Sequence, residues 1–237
     1  MLQHVLFAFI CVHSWLIVSA QSFEAASIKP NNSGSFNSSW NSNNGGIRIE
    51  NSSLKQLILQ AYDLKEYSLT GPAWLGDVRF DIIAKAPEGA PAKQLDAMMQ
   101  SLLAERFGLT AHREPKAVSG YSLVAGKRPP VLHEKPAQAQ SNWSSGNGKM
   151  NGTNVSMDML ADLLSRLVRQ PVQDQTSLAG VFDVKLEWTP EQADPTVGGP
   201  GSIFTAVQEQ LGLKLQAQKI TIDALVVDHA DRVPTEN

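Results

Sequence analysis

Two kinds of apolar spacing alternate along the chain, one helical and one extended. From Leu54 onward, Leu54, Leu57, Ile58 and Ala61 recur at three- and four-residue intervals, which predicts a helix over 54–62. Asn51-Ser52-Ser53 supplies an N-cap for it, and residues 47–50 alternate as a short strand just before. A strand near 67–70 stops at Gly71-Pro72, and another is predicted over 79–85. A second helix is expected over 92–107, with Leu95, Met98, Met99, Leu102 and Leu103 on one face and Gly108 as its C-terminal stop. Strands around 109–113 and 120–124 close this set.

The same grammar then returns. Helices are predicted over 157–168 and 203–211, the latter ending at Gly212, with strands near 171–174, 182–188, 214–216 and 224–227. Specific residues repeat with it. Trp143 follows Trp40 by 103 positions (40 to 143), and Asn147-Gly148 follows Asn44-Gly45 at the same offset. Met157 and Leu160 match Leu54 and Leu57 at 103, Phe182-Asp183-Val184 matches Phe80-Asp81-Ile82 at 102, and Leu211-Gly212-Leu213 matches Phe107-Gly108-Leu109 at 104. Ordered matches at a nearly constant offset predict an internal duplication. The expected class is α+β: two tandem, diverged copies of a β-α-β-β-α-β-β unit, helices packed on small mixed sheets. The first copy is placed at 21–136 and the second at 137–237. Asn/Ser/Gly-rich residues 31–46, the Pro/Asn/Ser-rich stretch 128–152 and the Pro/Gly stretch 193–201 are expected as loops.

Residues 1–20 stand apart. The run from Val5 to Val18 is apolar except for His13 and Ser14, and Val18-Ser19-Ala20 offers small residues for cleavage. So short a run reads as a signal peptide, without a membrane span after cleavage; no Lys or Arg precedes it, so an uncleaved anchor is the alternative. The expected location is therefore periplasmic or extracellular. Cys11, the single cysteine, lies in that run, so the mature chain is expected to lack disulfides and thiolate chemistry. The net charge of −3 argues against a nucleic-acid partner, which would call for a basic stripe.

Several motifs together resemble a known family. Phe23-Glu24-Ala25-Ala26-Ser27-Ile28-Lys29-Pro30, Gly71-Pro72-Ala73-Trp74-Leu75, Arg79-Phe80-Asp81-Ile82, Glu105-Arg106-Phe107-Gly108-Leu109, Pro171-Val172-Gln173-Asp174-Gln175-Thr176 and Gln210-Leu211-Gly212-Leu213-Lys214-Leu215 are similar to those of exported "soil-associated" bacterial proteins of unknown function. That pattern has Gly where this chain has Ser177, which bears on a tight turn. The resemblance implies an envelope sensing or binding role, since related domains occur beside membrane metallopeptidases of the antibiotic-sensor type. The order of elements also looks like the short N-terminal signalling domains of secretins and TonB-dependent receptors.

Candidate chemistry is sparse. Ser52-x-x-Lys55 has the spacing of a Lys-activated serine, but the Ser-Asp-Asn and Lys-Thr-Gly partners of that chemistry are missing and a helix cap is the simpler reading. His112, His133 and His229 lack metal-ligand spacing, and Gly198-Gly199-Pro200-Gly201 lacks the Lys of a phosphate loop. Asp81 and Asp183 recur after Phe, as a carboxylate pair or, more simply, as acceptors for backbone N–H groups. Asn-x-Ser/Thr sequons such as Asn31 and Asn142 reflect Asn/Ser-rich loops. The candidate ligand or partner contacts are Trp40 and Trp143, large aromatics in polar loops that either stack on sugars and anchor proteins or fold back on their own sheet edges. No cofactor or metal is expected. The leading expectation is a non-catalytic binding or interaction module of the envelope or exterior, taking an envelope protein or a small-molecule or carbohydrate ligand. A secreted hydrolase with a site at the junction of the two copies, and a structural piece of an envelope assembly, are the alternatives.

Overall fold

The computed structural model describes residues 22–35, 37–43, 45–135, 140–190 and 201–236. The expected signal segment with Cys11, and most of the stretch 193–201, lie outside the described residues. In chain order the first elements are β1 (Ala25–Pro30), β2 (Ser39–Asn43), β3 (Gly46–Ser53), α1 (Leu54–Ala61), β4 (Leu69–Thr70), β5 (Arg79–Lys85), α2 (Leu95–Phe107) and β6 (Thr110–Ala125). Then follow β7 (His133–Lys135), β8 (Asn142–Gly146), β9 (Lys149–Val155), α3 (Met157–Val168), β10 (Val172–Asp174), β11 (Val181–Glu187), α4 (Ile203–Leu211) and β12 (Leu213–His229). The class is α+β, as expected. By their contacts these elements divide into two units. Of the described residues, the first holds those from 22 to 62, 76–108 and 231–236; the second holds 63–75 and those from 109 to 230.

The first unit is one antiparallel sheet in the order β1-β5-β3-β2 with α1 and α2. Alternation along β3 puts Ile47 and Ile49 inside and Arg48 and Glu50 outside. The inner face meets Leu54, Leu57 and Ile58 of α1 and Met98, Met99, Leu102 and Leu103 of α2, all buried. Phe80 of β5 and Phe107 of α2 meet edge-to-face at 4.9 Å. α1 starts with a full capping box: Ser53 Oγ accepts from Gln56 N, and Gln56 Oε1 accepts from Ser53 N. α2 ends at Gly108 in the left-handed conformation (φ 56°), as its sequence position predicts. The tail returns to this unit, where Asp231 N donates to Phe107 O at 2.7 Å and Thr235 N to Arg106 O at 2.8 Å.

The second unit carries two sheets, β10-β6-β12-β4 and β7-β11-β9-β8, with α3 and α4. Its core gathers Leu123, Met150, Val155, Leu160, Leu164, Leu186, Val207, Leu211 and Leu213. At β11 the last peptide meets a side chain in place of a strand. Gln210 Nε2 donates to Glu187 O at 2.7 Å, and Glu187 N donates to Gln210 Oε1 at 3.0 Å.

Three expectations change. The segments 31–46 and 128–152, expected as loops from their composition, contain β2, β7, β8 and most of β9. Asn147-Gly148 is a two-residue hairpin turn between β8 and β9 with φ of 51° and 72°, the conformation that Asn-Gly favours. Finally, the strand pairs expected at 109–113 with 120–124, and 214–216 with 224–227, are each one continuous strand, β6 and β12. Their middle portions carry long polar stretches, 112–116 in β6 and 216–219 in β12, which interrupt the apolar alternation and read as breaks in the sequence. Pro115 sits in β6 without cost to the ladder. Tyr121 N donates to Pro171 O, so odd-numbered β6 residues aim their N–H groups away from β12.

Candidate functional site

The sheets β1-β5-β3-β2 and β7-β11-β9-β8 place comparable residues at comparable stations. In β3, Asn51 sits at an irregularity between Ile49 and Ser52 with φ 55°; in β9, Asn154 sits at another, also at φ 55°. A left-handed Asn lets a strand bulge and re-aim its side chain. Asn51 Nδ2 uses that freedom to donate to Ser35 O at 2.7 Å and Asn37 O at 2.8 Å. Asn154 Nδ2 donates to Gln140 O at 3.2 Å, and Asn154 O accepts from Ser141 Oγ at 2.6 Å. In both sheets the bulged Asn thus holds the chain that enters the edge hairpin.

Asp81 accepts the backbone N–H of Asn51 at 2.9 Å and the side-chain amide of Asn31 at 2.7 Å. Its carboxylate is committed to holding the bulge and the exit of β1. Ser52 is buried in β3, and the residue that caps α1 is the neighbouring Ser53. Ser156 caps α3 in the same way, accepting from Met159 N at 3.2 Å.

Trp40 and Trp143, the sequence candidates, lie on strands and not in loops. Trp40 of β2 stands opposite Ile49, which is fully buried, and is itself half-buried. Residues directly opposite in an antiparallel pair share a face, so the indole lies on the side that carries the core. Trp143 of β8 stands opposite Gly152. That glycine has no room for a side chain, because an added Cβ would meet Val155 Cγ2 at 2.5 Å. Lacking a cross-strand partner, Trp143 keeps 45% of its surface exposed, and Arg166 of α3 stacks over its ring at 5.9 Å.

Arg166 belongs to a charged chain. Its guanidinium pairs with Asp162 at 3.0 Å, and Asp162 also takes Lys65 at 3.1 Å. Partial burial pushes the Asp162 carboxyl up, but the hydrogen bonds from Lys65 and Arg166 outweigh it and hold the group below its ordinary value. Tyr67 lies beside this chain, its hydroxyl pushed up chiefly by burial, against a hydrogen bond to Ser165 that acts to lower it.

Next to Trp143 an open cleft of about 490 Å³ runs over the outer face of β8, β9 and β11, with Asn142, Ser144, Asn151, Thr153, Asp183 and Lys185 along it. Amide, hydroxyl, carboxylate and ammonium groups thus line this face, while the Trp143 indole stands on the α3 side of the same hairpin, beside Met150, Leu163, Arg166 and Leu167. The first unit has a depression of about 350 Å³ on the corresponding strands, lined by Arg48, Glu50, Asp81 and Ile83, with Asn31, Ser33, Ser35 and Asn37 running across it.

A family model described as "Protein of unknown function (DUF3738)" matches residues 55–230. The chain belongs to this family. The DUF3738 match takes in α1 through β12, with the Trp143 hairpin and its cleft, while β1, β2 and β3 with Trp40 precede it. No curated protein and no solved structure matches the chain.

Of the histidines, His112 on β6 bonds Asp228 on β12 at 2.9 Å, with Glu114 at 3.9 Å. The bond to Asp228 comes first among the causes that raise its pKa above the usual histidine value. Sequence reasoning missed this pair because the partners are 116 positions apart and meet only through the β6–β12 register. Among the described residues no group of three or more His, Cys, Asp or Glu could hold a metal ion, and no helix is long and apolar enough to cross a membrane.

Proposed function

We propose that this DUF3738 protein is an exported, non-catalytic binding module of the bacterial envelope or exterior, built from two diverged copies of one α/β unit. The observation that carries the reading is the β8–β9 edge hairpin: a half-exposed indole on its α3 side, backed on the other side by a shallow face of Asn, Ser, Thr, Asp and Lys side chains. Planar amides and carboxylates pair with vicinal hydroxyls, and an indole covers the apolar face of a sugar ring, so the matching ligand is a glycan strand passing over the edge of the sheet at β8. Rings that keep their solvent exposure in the free protein are those with binding energy left to gain.

The apolar N-terminal segment supports export. Duplication is supported by the offset of 102 to 104 between motifs, by the matching strand orders β1-β5-β3-β2 and β7-β11-β9-β8, and by the left-handed Asn at each bulge. The test is titration with soluble glycan fragments, followed by calorimetry on the wild type, Trp143→Ala, Trp40→Ala and the double variant. Trp143→Ala should weaken binding roughly 10-fold or more, the size of a hot-spot aromatic, with Trp40→Ala doing less. Equal affinities for wild type and double variant, or no binding by the wild type, would remove the reading.

A further inference from the structure

The sheet β10-β6-β12-β4, which lies wholly in the second unit, contains a symmetry that can be read from its register. Along the β6–β12 ladder Ala125 faces Leu213, His112 faces Val226, and at the centre Ala117 faces Thr221. Thr221 lies 104 positions after Ala117 (117 to 221), the same offset that carries Gly108-Leu109 onto Gly212-Leu213. A residue paired with its own counterpart marks a two-fold axis through that pair.

The outer strands test this without sharing any of those contacts. Leu69 of β4 pairs in parallel with Leu225 of β12. Moved by the offset of 103 that relates α1 to α3, Leu69 becomes Val172; moved back by 104, Leu225 becomes Tyr121. Val172 pairing in parallel with Tyr121 is what β10 and β6 do. Thr70 with Val226 maps in the same way onto Gln173 with Ser122. The sheet therefore has the register of an isologous dimer interface, in which each copy lays its long strand against the other's and lends a short strand to the partner's edge.

We propose that this sheet is a homodimer interface closed within one chain, and that a second copy of the chain can occupy it in trans. Two chains would exchange β4-to-β6 segments against β10-to-β12 segments and satisfy every pairing of the single chain. In dilute solution the covalent link wins, because linking two surfaces gives them an effective concentration on the order of 1 mM. Above that concentration the exchanged dimer should take over, and the long β6–β12 ladder should trap it once formed.

The experiment uses the full chain with Cys11→Ser, refolded from denaturant at roughly 10 µM and at a protein concentration near the millimolar threshold. Ala117 and Thr221 are exposed and form a pair outside the hydrogen-bonded sites of the ladder, where Cα atoms lie closest. Cysteines there meet the distance that a disulfide needs. On oxidation, Ala117→Cys/Thr221→Cys should close within one chain after dilute refolding. After concentrated refolding it should give covalent dimers linked from 117 to 221, while either single variant gives none. Light scattering on the variant without cysteines should show the same dimer. Only monomer at every concentration would overturn the proposal. So would a dimer in which each chain keeps its own 117–221 bond, since that is association without exchange.

Discussion

The sheets β1-β5-β3-β2 and β7-β11-β9-β8 share a strand order but do different work, and the difference comes down to a few positions. Opposite Trp40 stands Ile49; opposite Trp143 stands Gly152. The isoleucine gives the first indole an apolar surface to lie against, and the glycine leaves the second without one. β1 covers β5 over six residues, whereas β7 pairs with only three residues of β11. Across the outer face of the first sheet runs its own Asn/Ser segment, held by Asp81 and Asn51; the second sheet keeps an open polar cleft. One framework thus serves as a packed support in the first unit and as an exposed shelf in the second.

The sharpest way to break this comparison is Ile49→Ala. It removes a fully buried side chain at a cost of about 3 kcal/mol by urea denaturation and should raise the quencher accessibility of Trp40 toward that of Trp143. Next come the bulges. Asn51→Ala loses two hydrogen bonds and strains a left-handed residue, costing about 2–3 kcal/mol, while Asn154→Ala should cost about 1–2 kcal/mol. Glycine at either position keeps the backbone geometry, so the difference between Ala and Gly variants isolates the conformational part. Equal losses at the two sites would mean that the bulges are equivalent after all.

A smaller effect belongs to the second unit alone. The position in α1 that corresponds to Asp162 is Leu59, so the Lys65–Asp162–Arg166 chain has no equivalent there. Because Asp162 is lowered in the folded state, its contribution is complete above the unfolded carboxyl value near pH 4 and is lost as pH falls through the folded value. Asp162 is half-exposed and screened by solvent, so Asp162→Ala should cost only about 0.5–1 kcal/mol at pH 7, and progressively less as the pH is lowered through the folded carboxyl value. The smallest change is a gain. Ser177 holds φ 60° in the turn after β10, so Ser177→Gly should stabilise the protein by about 0.5–1 kcal/mol, read as a rise in thermal midpoint.

The four helices among the described residues were legible because their apolar stripes are buried and each carries a Ser cap at its start, a Gly at its end, or both. β5 and β11 were legible from alternation. The hairpins of Trp40 and Trp143 were not, since edge strands with polar faces have the composition of loops; Asn147-Gly148 was the signal that would have found the second. The polar stretches within β6 and β12 continue each strand through backbone pairing, which apolar patterning does not record. The same holds for the candidate site. The two tryptophans could be singled out by repetition, but their unequal exposure depends on cross-strand neighbours that only the register reveals.

The side chain of Gln210 against Glu187 has a further meaning for the way the sheet is finished. A primary amide presents the same donor and acceptor as a peptide group, so this one residue stands where the next strand of a growing sheet would dock. It closes the last backbone groups of β11, beyond the three residues that β7 covers, so that no stray strand can pair there.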